Sequence, residues 1–173
     1  MSSDELKQAL RITKKEPAAQ GIEFFELKRA DGGELMPFMP GAHVTLRVPN
    51  GELRKYSLCN DAEERDRYCI AVKREEGGRG GSVSLIDEAK LGDEIMVSAP
   101  RNDFELVTAP QYVFVAGGIG ITPILSMIRW IRATGAAKFK LYYLTRSPET
   151  TAFLDELKAP ELRGMVTIHH DNG

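Results

Sequence analysis

Read for hydrophobic and polar positions, the chain changes grammar once. Up to about residue 100 the apolar residues come in short runs of β-favouring composition. Residues 22–27 and 43–48 are such runs, the second with clear alternation. Residues 54–59, 68–73 and 95–98 continue the pattern, and turn signals at Asp31-Gly32-Gly33 and Pro49-Asn50-Gly51 separate the runs. Six or so strands at this spacing predict a small antiparallel barrel. One helix interrupts it, over 82–88, preceded by the glycine run 77–81 and ended at Leu91-Gly92-Asp93. From Tyr112 the pattern becomes strand, helix, strand, helix, strand. The strands are expected at 112–116, 139–144 and 166–169. The helices are expected at 123–133, closed by Gly135, and at 151–157. That alternation predicts a parallel α/β sheet. The boundary is placed at 108/109, in a linker over 106–111 that contains Pro110.

Composition narrows the classes. The 173 residues are 42% hydrophobic and 28% charged, with a net charge of -2, which fits a globular chain and gives no basic excess for nucleic acid. The pair Lys14-Lys15 reads as a solvated face. The start Met1–Lys7 carries acids where a signal peptide needs basic and apolar residues, and the uncharged stretch 112–128 is broken by three glycines and a proline. No membrane span is expected. Cys59 and Cys69 are too few for a disulfide framework or a four-cysteine metal site, and are read as buried free thiols of a reducing cytoplasm.

Three stretches carry candidate chemistry. In Arg54-Lys55-Tyr56-Ser57, strand alternation points Arg54 and Tyr56 to one side and Ser57 to the other. An arginine, an aromatic ring and a hydroxyl suit a flat phosphorylated ring system, and equally an ordinary barrel strand with an exposed arginine and a half-buried tyrosine. In Gly77–Ser82, glycines admit an anion to backbone amides at a helix N-terminus, and Ser82 either caps that helix or bonds a phosphate oxygen. Arg79 is an added cation for the phosphate or a solvated side chain. In Gly117-Gly118-Ile119-Gly120-Ile121-Thr122-Pro123, a strand enters a glycine loop that opens a helix, with Pro123 in its first turn and Thr122 as the capping hydroxyl. This is also the sequence of an ordinary tight turn.

Several other residues invite chemistry. His43 reads as a core or surface imidazole. His169 and His170 lack accompanying ligands, and no metal is assigned. The stretch 36–40 and Trp130 read as packing. Arg146 either meets an adenosine phosphate or ribose or is a solvated loop residue.

Taken in order, the motifs at 54–61, 70–74, 78–82, 115–123, 141–146 and 169–173 resemble the ferredoxin–NADP reductase superfamily. Within it they resemble the phthalate dioxygenase reductase and vanillate demethylase reductase group. The resemblance implies a six-stranded flavin-binding barrel over 1–108, then the first half of an NAD-binding α/β domain over 109–173. It implies FMN, with FAD less favoured, and NADH as donor. Arg54 would meet the flavin phosphate or ribityl chain, Tyr56 the ring and Ser57 its N5 edge. Ala71, Val72 and Lys73 would line the flavin, and Gly80, Gly81 and Ser82 would hold its phosphate. Thr122 would sit where flavin and nicotinamide meet, with Gly117, Gly118 and Gly120 near the NAD pyrophosphate. Ser57 and Thr122 are the candidate catalytic pair.

The group continues into a second half of the nicotinamide domain and a 2Fe–2S domain, so the chain reads as C-terminally truncated, with hydride transfer impaired. A terminal oxygenase or ferredoxin-type acceptor is the implied partner. Self-association is expected through the unpaired edge of the strand at 112–116. The rival expectation is a non-catalytic nucleotide-binding module.

Overall fold

The computed structural model describes residues 6–171; Met1–Glu5, and Asn172 and Gly173 of the last motif, lie outside the described residues. The first six strands are β1 (Leu6–Ala19), β2 (Ile22–Lys28), β3 (His43–Arg47), β4 (Leu53–Ser57), β5 (Tyr68–Lys73) and β6 (Glu94–Ser98). They form one antiparallel sheet in the order β4-β3-β6-β1-β2-β5. The end strands β4 and β5 approach each other, rolling the sheet around a core that includes Leu10, Phe25, Leu46, Ile70 and Val97. Helix α1 (Gly81–Glu88) packs Leu85 into that core.

β1 is the strand the pattern did not announce. Leu6, Leu10 and Ile12 are buried, but from Thr13 onward most of its side chains are solvated or only half-buried, so its second half lacks an apolar alternation. Lys15 is no mere solvated residue. Its Nζ donates to the carbonyls of Ile86 and Ala89 at 2.6 and 2.9 Å, satisfying orphan acceptors at the C-terminal end of α1.

After the linker come β7 (Gln111–Gly117), α2 (Ile121–Thr134), β8 (Lys138–Thr145), α3 (Leu154–Leu157) and β9 (Val166–His170). The three strands are parallel in the order β7-β8-β9. α2 ends on Gly135, whose φ of 65° lets its N–H reach the Ile131 carbonyl. The expected helix over 151–157 shrinks to its last turn, because Phe153 takes a left-handed φ of 60° and breaks helical geometry just before Leu154.

The core of the second unit is shared with the first. Cys59 and Cys69, both buried and free, pack with Ile121, Leu125, Ile128 and Tyr143. Burial pushes the Cys59 thiol up to about 12 and Cys69 higher still, so both stay protonated and inert. No helix among the described residues is long and apolar enough to cross a membrane.

Candidate functional site

A cleft of about 660 Å³ opens where the rolled sheet ends, between β4 and β5. The start of α1 borders one part of it and the start of α2 another, so two helix N-termini and two edge strands share one cavity. Its size is that of a small-ligand site.

From β4 come Arg54, Tyr56 and Ser57, and from β5 come Ala71 and Lys73. Gly80, Gly81 and Ser82 border it from α1, and Gly120 and Thr122 from α2. Val72 is not a lining residue: between Ala71 and Lys73 its side chain alternates into the barrel core and is fully buried. Gly117 and Gly118 stand outside the cleft wall at the end of β7, with open space where a Cβ would be. Lys55, Glu75, Ile119 and Pro123 also border the cleft, and the motifs gave them no part in binding. Alternation separates Lys55 and Ser57 from Arg54 and Tyr56, yet all four meet the cavity, which wraps the free edge of β4.

The anion end is built by close packing. Gly80 is the N-cap of α1 with φ 76°, a conformation that favours glycine. At Gly81 a Cβ would stand 2.6 Å from Nε of Arg54, so only glycine lets the guanidinium lie against the first turn of α1. Arg54 Nη1 donates to Glu52 Oε2 at 2.7 Å and to the Leu53 carbonyl at 2.9 Å. That hydrogen bond from Arg54 holds the Glu52 carboxyl below its usual range. Ser82 does not cap the helix. Its Oγ accepts from the Glu75 N–H at 3.0 Å and closes the loop, leaving its own proton to donate. Lys73 pairs with Glu75 at 2.8 Å, and Arg79 stands exposed, 3.6 Å from Glu52.

The other end holds hydroxyls and a ring. The Tyr56 hydroxyl is buried without a hydrogen-bond partner among the described residues, and burial, opposed by the charge of Arg54, pushes it up to about 12. It remains a neutral donor beside the cleft. Thr122 is likewise not a helix cap, since Gly120 takes that position. Thr122 Oγ1 donates to the Ile119 carbonyl at 3.1 Å, which leaves its oxygen free to accept. Among the described residues no group of three or more His, Cys, Asp or Glu is arranged to hold a metal ion.

Polar groups behind the cleft escaped the sequence reading. Ser126 and Arg129 of α2 donate to the carbonyls of Asn60 and Cys59, just beyond Ser57. Their spacing from Thr122, four and seven residues, was the available signal.

Residues 9–106 match the family described as oxidoreductase FAD-binding domain. The chain is 56% identical over 165 residues to phthalate dioxygenase reductase of Burkholderia cepacia, which covers 95% of this chain and 51% of the relative. It is 41% identical over 161 residues to vanillate O-demethylase oxidoreductase of Pseudomonas putida, covering 92% and 50%. A solved structure of phthalate dioxygenase reductase, described as modular for electron transfer from pyridine nucleotides to [2Fe-2S], superposes with a TM-score of 0.94 at 56% identity. It covers 96% of this chain and 52% of that one. The chain thus spans about half the length of the curated relatives it matches. With the matched segment holding β4, β5 and α1, which border the cleft, the chain belongs to the family of oxidoreductase FAD-binding domains.

Proposed function

We propose that the cleft holds FMN and that the chain serves a reductase passing electrons from NADH through the flavin. The acceptor is an iron–sulfur centre of an aromatic-ring oxygenase or demethylase system. One observation carries this reading: the cavity joins a cationic helix N-terminus to the start of α2 along the edge that bears Tyr56 and Ser57. The donor set suits a phosphate monoester. Arg54 lies against the amide end of α1, where Gly81 lets its guanidinium approach the first turn, and Ser82 keeps a hydroxyl proton. Tyr56 supplies an unused buried hydroxyl and an aromatic wall. These groups bind and orient the isoalloxazine, with Ala71 and Lys73 lining it from β5. The bound flavin supplies two-electron acceptance and one-electron release. Ser57 presents a hydroxyl toward the N5 edge, Thr122 faces the nicotinamide, and Gly117, Gly118 and Gly120 leave room for the pyrophosphate. The choice of FMN over FAD rests on the compact anion end, and that of NADH on the relatives. The buried free thiols support a reducing cytoplasm as the compartment.

The test is flavin uptake followed by reduction. The protein binds added FMN, with the absorbance of bound flavin, and NADH bleaches it anaerobically. A protein that stays colourless in excess FMN is a nucleotide-binding or docking module, and the reductase reading falls.

A further inference from the structure

The side of α2 that meets the barrel carries Thr122, Ser126 and Arg129, spaced four and three residues apart, hence one stripe of a helix. Thr122 borders the cleft. Ser126, fully buried, donates its hydroxyl to the Asn60 carbonyl at 2.8 Å. Arg129 Nη1 donates to the Cys59 carbonyl at 2.7 Å. Cys59 and Asn60 lie two and three residues past Ser57, so one helix face touches the cleft and grips the chain that leaves it.

Both sides of this grip are anchored. Asn60 Oδ1 accepts from the Cys69 N–H at 2.9 Å, and its Nδ2 donates to Glu64 Oε2 and to the Arg67 carbonyl, each at 3.0 Å. Cys59 N–H donates to the Cys69 carbonyl at 2.9 Å. Arg129 donates Nε and Nη2 to Glu156 at 2.9 and 2.5 Å, and its guanidinium lies 5.7 Å from the centre of the Phe153 ring. Phe153 is the non-glycine residue with positive φ among the described residues, a costly backbone state held by its surroundings.

A guanidinium largely withdrawn from water is an expensive way to join two units already packed through Cys59, Cys69 and the apolar face of α2. A part-buried hydrogen-bonded network that joins both units instead specifies one arrangement. We propose that Ser126 and Arg129 are positioning residues that fix the gap between Ser57 and Thr122, and with it the approach of nicotinamide to the flavin. The proposal rests on the reductase reading. Arg129 lies about 10 Å along the helix from Thr122 at ~1.5 Å per residue, so a tilt of about 6° about Arg129 moves Thr122 by about 1 Å. A displacement of about 1 Å at a reacting centre costs on the order of 100-fold in rate.

Three variants test this in the FMN-loaded chain: Arg129→Met, Arg129→Lys and the milder Ser126→Ala. Stopped-flow reduction by NADH is read beside reduction by dithionite and FMN affinity. The expected result for Arg129→Met is a limiting NADH rate lowered by about 10- to 100-fold. FMN affinity and dithionite reduction stay within about threefold, and Arg129→Lys regains part of the loss. A second readout needs no flavin. Nitroxides attached after Lys90→Cys and Lys140→Cys report the distance between the two units, narrow in the parent and broadened by Arg129→Met. Should Arg129→Met not fold, Ser126→Ala is read in the same two ways, with smaller changes in the same direction. An unchanged NADH rate with a narrow distance overturns the proposal. So does an equal loss in NADH reduction, dithionite reduction and FMN affinity, which marks a merely structural role. A parent chain that takes up no FMN refutes the reductase reading instead, whereas flavin that NADH leaves oxidised accords with the impaired hydride transfer expected of this chain. The label distance then decides the grip by itself: broadening upholds it and an unchanged distribution overturns it.

Discussion

Val44 in the barrel is completely buried, while Val115 in the α/β sheet is 63% exposed, though each sits inside a strand of its own sheet. The antiparallel sheet rolls its apolar face inward around one cluster. The parallel sheet buries Phe114, Ala116, Leu141 and Tyr143 toward α2 and turns Val113, Val115, Tyr142 and Leu144 outward. Register puts Val115 beside Tyr142, so these outward residues share one face. Parallel sheets are ordinarily covered on both faces. The β4–β5–α1 side of the cleft therefore stands on packing that is closed within the described residues, and the α2 side on a sheet with one apolar face open among them.

The largest test of this contrast is stability. Phe25→Ala, in the barrel core, is expected to cost about 3–5 kcal/mol, read by urea unfolding. Val115→Thr is expected to stay within about 0.5 kcal/mol, as exposed substitutions do. A loss at Val115 comparable to that at Phe25 means that the face is covered in solution. We also propose that this face and the free edge of β7 drive self-association. Val113→Lys with Val115→Lys then lowers the sedimenting mass, and an unchanged mass removes that surface from the contact.

Next in size is flavin affinity. Arg54→Ala is expected to weaken FMN by about 1.5–3 kcal/mol, the range for a hydrogen bond to a charged group, with little change in unfolding temperature. Gly81→Ala moves affinity in the same direction, because its Cβ displaces the Arg54 side chain. Ser82→Ala costs less, since the backbone amides of α1 remain. Calorimetric titration measures all three. Unchanged affinity in Arg54→Ala takes that residue out of the site and leaves the barrel a scaffold only.

Local pattern made part of this visible and tertiary contact hid the rest. The alternation at 43–48 and the strand–glycine–helix order at 112–123 announced β3 and the β7–α2 unit, because in both the chemistry is local. The glycine run before α1 was equally plain. That Gly81 serves Arg54 was not, because the two are 27 positions apart and meet only after β4 and α1 pack together. β1 escaped because its second half is mostly solvated. The role of Lys15 escaped because it depends on where α1 ends in space. Phe153 broke a helix whose composition gave no warning. Val72 followed its strand neighbours into the site on paper, but alternation sends it inward.

The smallest expected effect lies in the segment that joins the two regions. His43 opens β3 and exchanges both backbone hydrogen bonds with Arg101, at 2.8 and 2.9 Å, in the segment between β6 and the linker. Its Nε2 is buried without a hydrogen-bond partner among the described residues, and the Asp103 carboxylate stands 3.9 Å away. Burial lowers its protonation below the ordinary imidazole value. The charges of Lys55 and Arg101 add to this and Asp103 opposes it. The unfolded chain, with an ordinary imidazole at about 6.5, then binds more protons than the folded one in the window just below that value. The His43 contribution is thus complete above about 6.5 and is lost as pH falls toward the depressed folded value. Carboxylates held low by their partners, such as Glu26 and Asp66, act in a lower window, as pH falls below the ordinary carboxylate range. Thermal unfolding between pH 7 and 5 should therefore show a decline that His43→Gln flattens. Asp103→Asn steepens it, since it removes the charge that favours protonation. Identical slopes in the parent and His43→Gln would mean that the buried imidazole does not couple the segment around Arg101 to the barrel.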